Sequence, residues 1–189
     1  MTPESVLSEL LAGNQRFSES RPVNPHHDLL RVQQVAEHQT PSAVILGCAD
    51  SRVPPEVIFD QGIGDLFVIR NAGHQATLED IASVEYAVAV LGSKVVLVLG
   101  HERCGAVSAA LAGAAVPGII EALFFGLRPA VELARQQAGD LVANTVRQNV
   151  GVQVKRLLVS EVIKKAVVAG ELLVVGGYYG LKTGLVTLL

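Results

Sequence analysis

Ser42-Ala43-Val44-Ile45-Leu46-Gly47-Cys48-Ala49-Asp50-Ser51-Arg52 and Lys94-Val95-Val96-Leu97-Val98-Leu99-Gly100-His101-Glu102-Arg103-Cys104 share one layout. In each, an apolar run rich in β-branched residues ends in glycine, and side chains able to bind a metal follow at once. Short unbroken apolar runs read as strands buried on both faces, the pattern of a parallel sheet. The chain holds four of them, Ser42 to Gly47, Asp65 to Arg70, Lys94 to Gly100 and Glu171 to Gly176.

Helical patterns alternate with these strands. Thr77-Leu78-Glu79-Asp80 resembles a capping box, and Ile81, Val84, Val88 and Leu91 follow on one side. Asp140 to Leu158 is a second amphipathic pattern, interrupted by Gly151, and Ser160 to Gly170 a third with serine at its start and glycine past its end. Near the N-terminus, Thr2-Pro3 is a cap followed by proline, and Val6, Leu7, Leu10 and Leu11 give a stripe. The alternation predicts an α/β fold, a central mostly parallel sheet flanked by helices, with residues 1–35 as an N-terminal helix and arm. Residues 20–30 read as an extended arm or loop, poorly buried by one chain and suited to wrapping a partner.

At 189 residues the chain is one domain, 1–189. Half of it is hydrophobic and only 17% is charged, with mean hydropathy +0.41. Either a membrane span or burial against copies of itself explains this. Cys104 to Leu127 is the least charged stretch, but Pro117-Gly118 inside it argues against a continuous spanning helix, so a homodimer or higher homo-oligomer is expected. A formal charge of -3 gives no basic footprint for nucleic acid. The N-terminus lacks the basic and apolar regions of a secretory signal, which reads as cytoplasmic, although a processed exported form would look the same.

Both cysteines of the chain enter the site. Cys48 and His101 fall just past the carboxyl ends of two predicted strands, where open parallel sheets bind ligands. With Cys104 they make two thiolates and an imidazole, a three-ligand zinc set with the fourth tetrahedral position open. Asp50 and Arg52 stand next to it. As an ordinary surface ion pair they would contribute under about 1 kcal/mol.

The motifs Cys48-Ala49-Asp50-Ser51-Arg52-Val53-Pro54-Pro55-Glu56, Gly64 to Gly73, Glu85 to Val88 and Gly100-His101-Glu102-Arg103-Cys104-Gly105-Ala106-Val107 closely resemble the β-class carbonic anhydrases. The resemblance runs from about Glu4 to the end, where Gly176 to Leu189 looks like the family's last strand and hairpin at the sheet edge. It implies one zinc per chain on Cys48, His101 and Cys104, with water or hydroxide fourth, and reversible hydration of carbon dioxide to bicarbonate. Asp50 and Arg52 match the family's carboxylate–guanidinium dyad. One group in the family carries a tryptophan three positions before the first zinc cysteine, where this chain has Ile45. The plant-like, open-site group carries a glutamine nine positions before it, where this chain has Gln39. Phe67, Tyr86 and Gly105 match further substrate-pocket positions, with Gln39 reaching substrate across a dimer interface. From sequence alone Gln39 also fits a turn, and Phe67 and Tyr86 fit a core.

Two other functions fit the same residues. Some relatives hydrolyse carbon disulfide or carbonyl sulfide on this site, and a zinc-stabilised scaffold without catalysis is the third reading. The presence of Asp50 and Arg52 weighs against the scaffold. His74 stands where relatives usually carry asparagine, and it is a candidate proton shuttle because histidine titrates near neutrality. His26-His27-Asp28 reads as a solvated loop. Ile119 to Phe125 departs from the family pattern and predicts a helix apolar on more than one side, suited to a subunit or partner contact.

Overall fold

Thr2 caps the first helix by accepting from the Ser5 N–H, and Pro3 fills the first turn, so α1 (Pro3–Ser18) starts where the sequence predicts. A loop leads to α2 (Leu29–Val35), then β1 (Ala43–Cys48), the single-turn α3 (Pro55–Ile58), β2 (Leu66–Asn71) and α4 (Leu78–Ala89). The chain continues through β3 (Val95–His101), α5 (Gly105–Ala112), α6 (Ala122–Ala134), α7 (Leu141–Leu157), α8 (Glu161–Val168), β4 (Leu173–Tyr179) and β5 (Val186–Leu188). This computed structural model describes residues 1–113 and 115–189.

The strands lie in the order β2-β1-β3-β4-β5, parallel except for the last, which pairs antiparallel with β4 as an edge hairpin. The chain steps from β1 out to β2 and then crosses back to β3. The reversal therefore lies between the carboxyl ends of β1 and β3, the switch point where such sheets open a crevice. Each strand begins and ends slightly later than its apolar run predicts. The ladder carries on through Cys48 opposite Asn71 and His101 opposite Tyr179, so both metal-binding candidates are the last residues of strands rather than the first residues of loops.

Alternation along the strands separates two cores. Ala43, Ile45, Val95, Leu97 and Leu99 face Val6 and Leu10 of α1, Ile58 of α3 and Phe59 just past it. Val44, Leu46, Val96 and Val98 face Val84 and Ala87 of α4, Val150 and Leu157 of α7, and Ile163 of α8. Contact between α1 and α3 is close enough that a side chain at Gly13 would stand 1.9 Å from the Phe59 carbonyl oxygen. The capping box forms in full, Thr77 and Asp80 each satisfying the other's backbone N–H. Gly151 does not interrupt α7; it lies on the exposed side, and the helix runs through it.

Of the extended arm or loop expected for residues 20–30, the structure shows a loop before α2, mostly exposed and held to its own chain. Asp60, its side chain fully buried, accepts from the Val23 and Asn24 N–H groups and pairs with Arg16 at 2.6 Å. His26 meets Asp65 at 2.8 Å, His27 bonds the Gln61 carbonyl, and Asp28 caps α2. That loop is thus fastened to the body. α2 itself has no buried residue and leaves Leu29 and Leu30 exposed. In the apolar segment, Phe124 is buried while Ile119 and Phe125 face outward, with the Arg128 guanidinium 4.7 Å from the Phe125 ring centre. Among the described residues no helix is long and apolar enough to cross a membrane.

Candidate metal centre

Strand pairing brings the ends of β1 and β3 side by side, and α5 starts immediately after the turn that follows β3. Cys48, His101 and Cys104 are all buried there, and their ligand atoms all lie within 4.8 Å of one another. The two sulfurs are 3.9 Å apart. His101 Nδ1 sits 2.9 Å from the Glu102 carbonyl, which can only accept, so the ring hydrogen is on Nδ1. Nε2 is then a bare lone pair, buried and without a partner among the described residues. A buried acceptor left unpaired is costly unless something electropositive meets it.

The thiols point to the same occupant. The Gly73 N–H is 3.4 Å from Cys48 Sγ, and the Cys104 thiol above all, with this bond beside it, holds the Cys48 thiol far below its ordinary value. That favours a thiolate at Cys48. The Cys104 thiol is pushed up because it donates to Cys48 and would have to ionise beside it. Two thiolates at this spacing repel unless a divalent cation sits between them. Two sulfurs and one imidazole nitrogen are the donor set of a zinc site with one position open, so the residues present fit that ion.

Asp50 follows Cys48 by two residues and brings Oδ2 to 3.9 Å from His101 Nε2. It is fixed by Arg52, whose Nε and Nη2 donate to Oδ1 and Oδ2 at 2.9 and 2.8 Å and whose backbone N–H donates to Oδ1 at 2.9 Å. This fork holds the carboxyl well below the usual carboxylate range, so Asp50 is an acceptor at any physiological pH. Arg52 Nη2 also reaches the Arg103 carbonyl at 3.3 Å, tying Asp50 to the turn that carries the other two ligands. In that turn Arg103 has a φ of 53°, a left-handed conformation that non-glycine residues adopt only under constraint.

Arg70, not singled out by the motif reading, holds the turn from behind. Its Nε donates to the Cys48 carbonyl at 2.8 Å and its Nη2 to the Asp50 carbonyl at 2.5 Å. The signal was present in the register, since Arg70 ends its apolar run opposite Gly47. Gly105 begins α5, and a side chain added there would meet nothing within 4 Å, which leaves open space beside Cys104.

The remaining pocket residues lie elsewhere in the chain. Gln39 is exposed before β1 and shares a cleft of about 700 Å³ with Tyr86 and Val90. The Phe67 and Tyr86 rings are 6.4 Å apart, and Phe67 pairs with Val44 near the start of β1. At about 3.3 Å per strand residue, that is roughly 13 Å from Cys48. One chain therefore does not bring Gln39, Phe67 and Tyr86 to its own Cys48.

His74 is fully buried, which speaks against its candidacy as a shuttle, because a shuttle must exchange protons with solvent. Its φ of 43° makes the asparagine of relatives intelligible, since asparagine tolerates that conformation. Burial pushes the imidazole down from 6.5 to about 4. Between those values the unfolded chain binds the proton that the folded chain refuses, so stability falls as pH drops from 6.5 towards 4 and is complete above 6.5. His74→Asn is expected to remove that part of the acid sensitivity, up to about 1.4 kcal/mol per pH unit in the window. Urea unfolding of both proteins across that range checks it, and parallel pH curves would refute it.

The family model for carbonic anhydrase matches residues 43–186. Over 187 residues the chain is 40% identical to carbonic anhydrase 2 of Mycobacterium tuberculosis, covering 96% of this chain and 90% of that protein. Among solved structures it is similar to the β-carbonic anhydrase CafA of Aspergillus fumigatus, with a TM-score of 0.77, 31% identity, and 84% and 79% of the two chains covered. It is also similar to a tetrameric β-carbonic anhydrase from Sordaria macrospora, with a TM-score of 0.76, 27% identity, and 83% and 84% covered.

Proposed function

The chain belongs to the β-class carbonic anhydrase family, and we propose that it catalyses the zinc-dependent, reversible hydration of carbon dioxide to bicarbonate and a proton. One observation carries the reading: the unpartnered His101 Nε2 is aimed at two thiols, with an ionised carboxylate 3.9 Å away on the open side. Zinc held by Cys48, His101 and Cys104 would supply the Lewis acidity that makes hydroxide available near neutral pH.

The chain's own groups do the rest. Asp50 accepts a hydrogen bond from the O–H of the nucleophile and so turns its free lone pair towards the carbon of carbon dioxide. Arg52 keeps both carboxylate oxygens occupied, which prevents Asp50 from turning inward to compete for the ion. Arg70 fixes the backbone between Cys48 and Asp50. The bare Gly105 leaves room for a small linear substrate.

Gln39, Phe67 and Tyr86 serve as substrate-binding residues of a second subunit in a homo-oligomer, as in the plant-like group. The free edge of β2 and the unburied α2 support assembly, as does the likeness to a tetrameric relative. Stopped-flow hydration of carbon dioxide by the zinc-loaded protein tests the reading. The rate is expected to rise between about pH 7 and 9 as water ionises. A flat profile, or no hydration above the buffer rate, would overturn it.

A further inference from the structure

Along α7, Thr145, Asn149 and Gln153 recur every fourth residue and are all fully buried, a polar stripe inside an apolar face. Thr145 is satisfied locally, its hydroxyl donating to the Leu141 carbonyl. The other two reach across to the loop after β2. Asn149 Nδ2 donates to the Gly73 carbonyl at 2.9 Å and stands 2.9 Å from His74 Nε2. Because a carbonyl only accepts, the Asn149 amide has a single orientation, and its second hydrogen goes to the His74 ring. Gln153 Nε2 donates to Asn149 Oδ1 at 2.8 Å, while its Oε1 accepts from the Ala76 N–H at 2.9 Å.

The Gly73 residue that Asn149 grips on its carbonyl side presents its N–H to Cys48 Sγ. Gly73 and His74 have φ of 88° and 43°, two successive left-handed residues whose N–H direction depends on what holds them. We propose that Asn149, locked by Gln153, is a positioning residue for the metal centre, aiming the Gly73 N–H at the Cys48 sulfur. The inference rests on the zinc reading above. An N–H on a ligand sulfur orients the thiolate and spreads its charge, and outer partners of this kind commonly govern metal affinity. Burial adds weight, since away from water each of these hydrogen bonds is electrostatically stronger than it would be at the surface.

The test is zinc affinity, read by competition with a chelator, with the thiolate-to-metal absorption bands of the cobalt-substituted protein as a second readout. Asn149→Leu removes both donors and is expected to weaken zinc binding about tenfold or more and to shift those bands. Thr145→Val, one turn away, removes a buried polar group that touches only its own helix, and it should lower the melting temperature with zinc affinity unchanged. Should Asn149→Leu not fold, Gln153→Leu, which frees Asn149 Oδ1 and keeps both of its donors, is expected to show the same shift at smaller size. Wild-type affinity and bands in the folded Asn149→Leu protein, or in Gln153→Leu where that replaces it, would overturn the inference. A wild-type protein that takes up neither zinc nor cobalt at one per chain would instead refute the metal reading on which it rests.

Discussion

Asp50→Asn is expected to lower the hydration rate roughly 10²- to 10³-fold while leaving one zinc per chain. Asparagine has the shape of aspartate but replaces one acceptor oxygen with a donor. Whichever way it turns, it sets an N–H₂ either against the Arg52 fork, which also only donates, or towards the nucleophile. The three ligand side chains are untouched, so the metal should stay. Zinc content measured beside the rate separates the possibilities. Loss of zinc would mean that Asp50 holds the ion or the ligand geometry, and near-normal turnover would mean that it has no part in activation.

Cys104→Ala should abolish turnover by emptying the site. Cys104 is fully buried at the N-cap of α5, where it makes no capping bond, so its side chain has no evident duty except to the cluster. Two remaining donors hold zinc far more weakly than three. Metal analysis after dialysis is expected to give little zinc per chain, and the rate should fall to that of buffer. A further consequence is thermodynamic, because an ion that binds only the folded chain stabilises it, by about 4 kcal/mol at a thousand times its dissociation constant. Added zinc should therefore raise the melting temperature of the wild type and leave that of Cys104→Ala in place. An equal rise in both would show that the stabilising ion sits elsewhere.

The parts of this molecule that sequence made legible are those in which local pattern and tertiary position agree. The runs ending at Gly47 and Gly100 announce buried strands, and ligands placed directly after glycine at two strand ends must converge if the strands are neighbours. Cys48, His101 and Cys104 were readable for that reason, and the roles of Asp50 and Arg52 followed from the resemblance of the motifs around them to the β-class family. The residues that hold them were not. Arg70 acts through carbonyls of β1, which only the pairing of β1 with β2 brings within reach. Asn149 and Gln153 serve a loop more than seventy positions away, and their spacing of four within a valine-rich face was the one signal they gave. His74 misled because titration near neutrality is a property of the free side chain, and burial removes it. The fastening of the loop before α2 was hidden as well, since nothing in a proline- and histidine-rich stretch shows that Asp60 and Asp65 receive it.

That reception bears on the homo-oligomer proposed above. With the Val23 and Asn24 amides bound to a carboxylate sealed inside the same subunit, this part of the leader is already ordered before any encounter. In that assembly, association would join preformed surfaces rather than fold a tail around a neighbour, with the entropy of arranging those residues settled within each subunit.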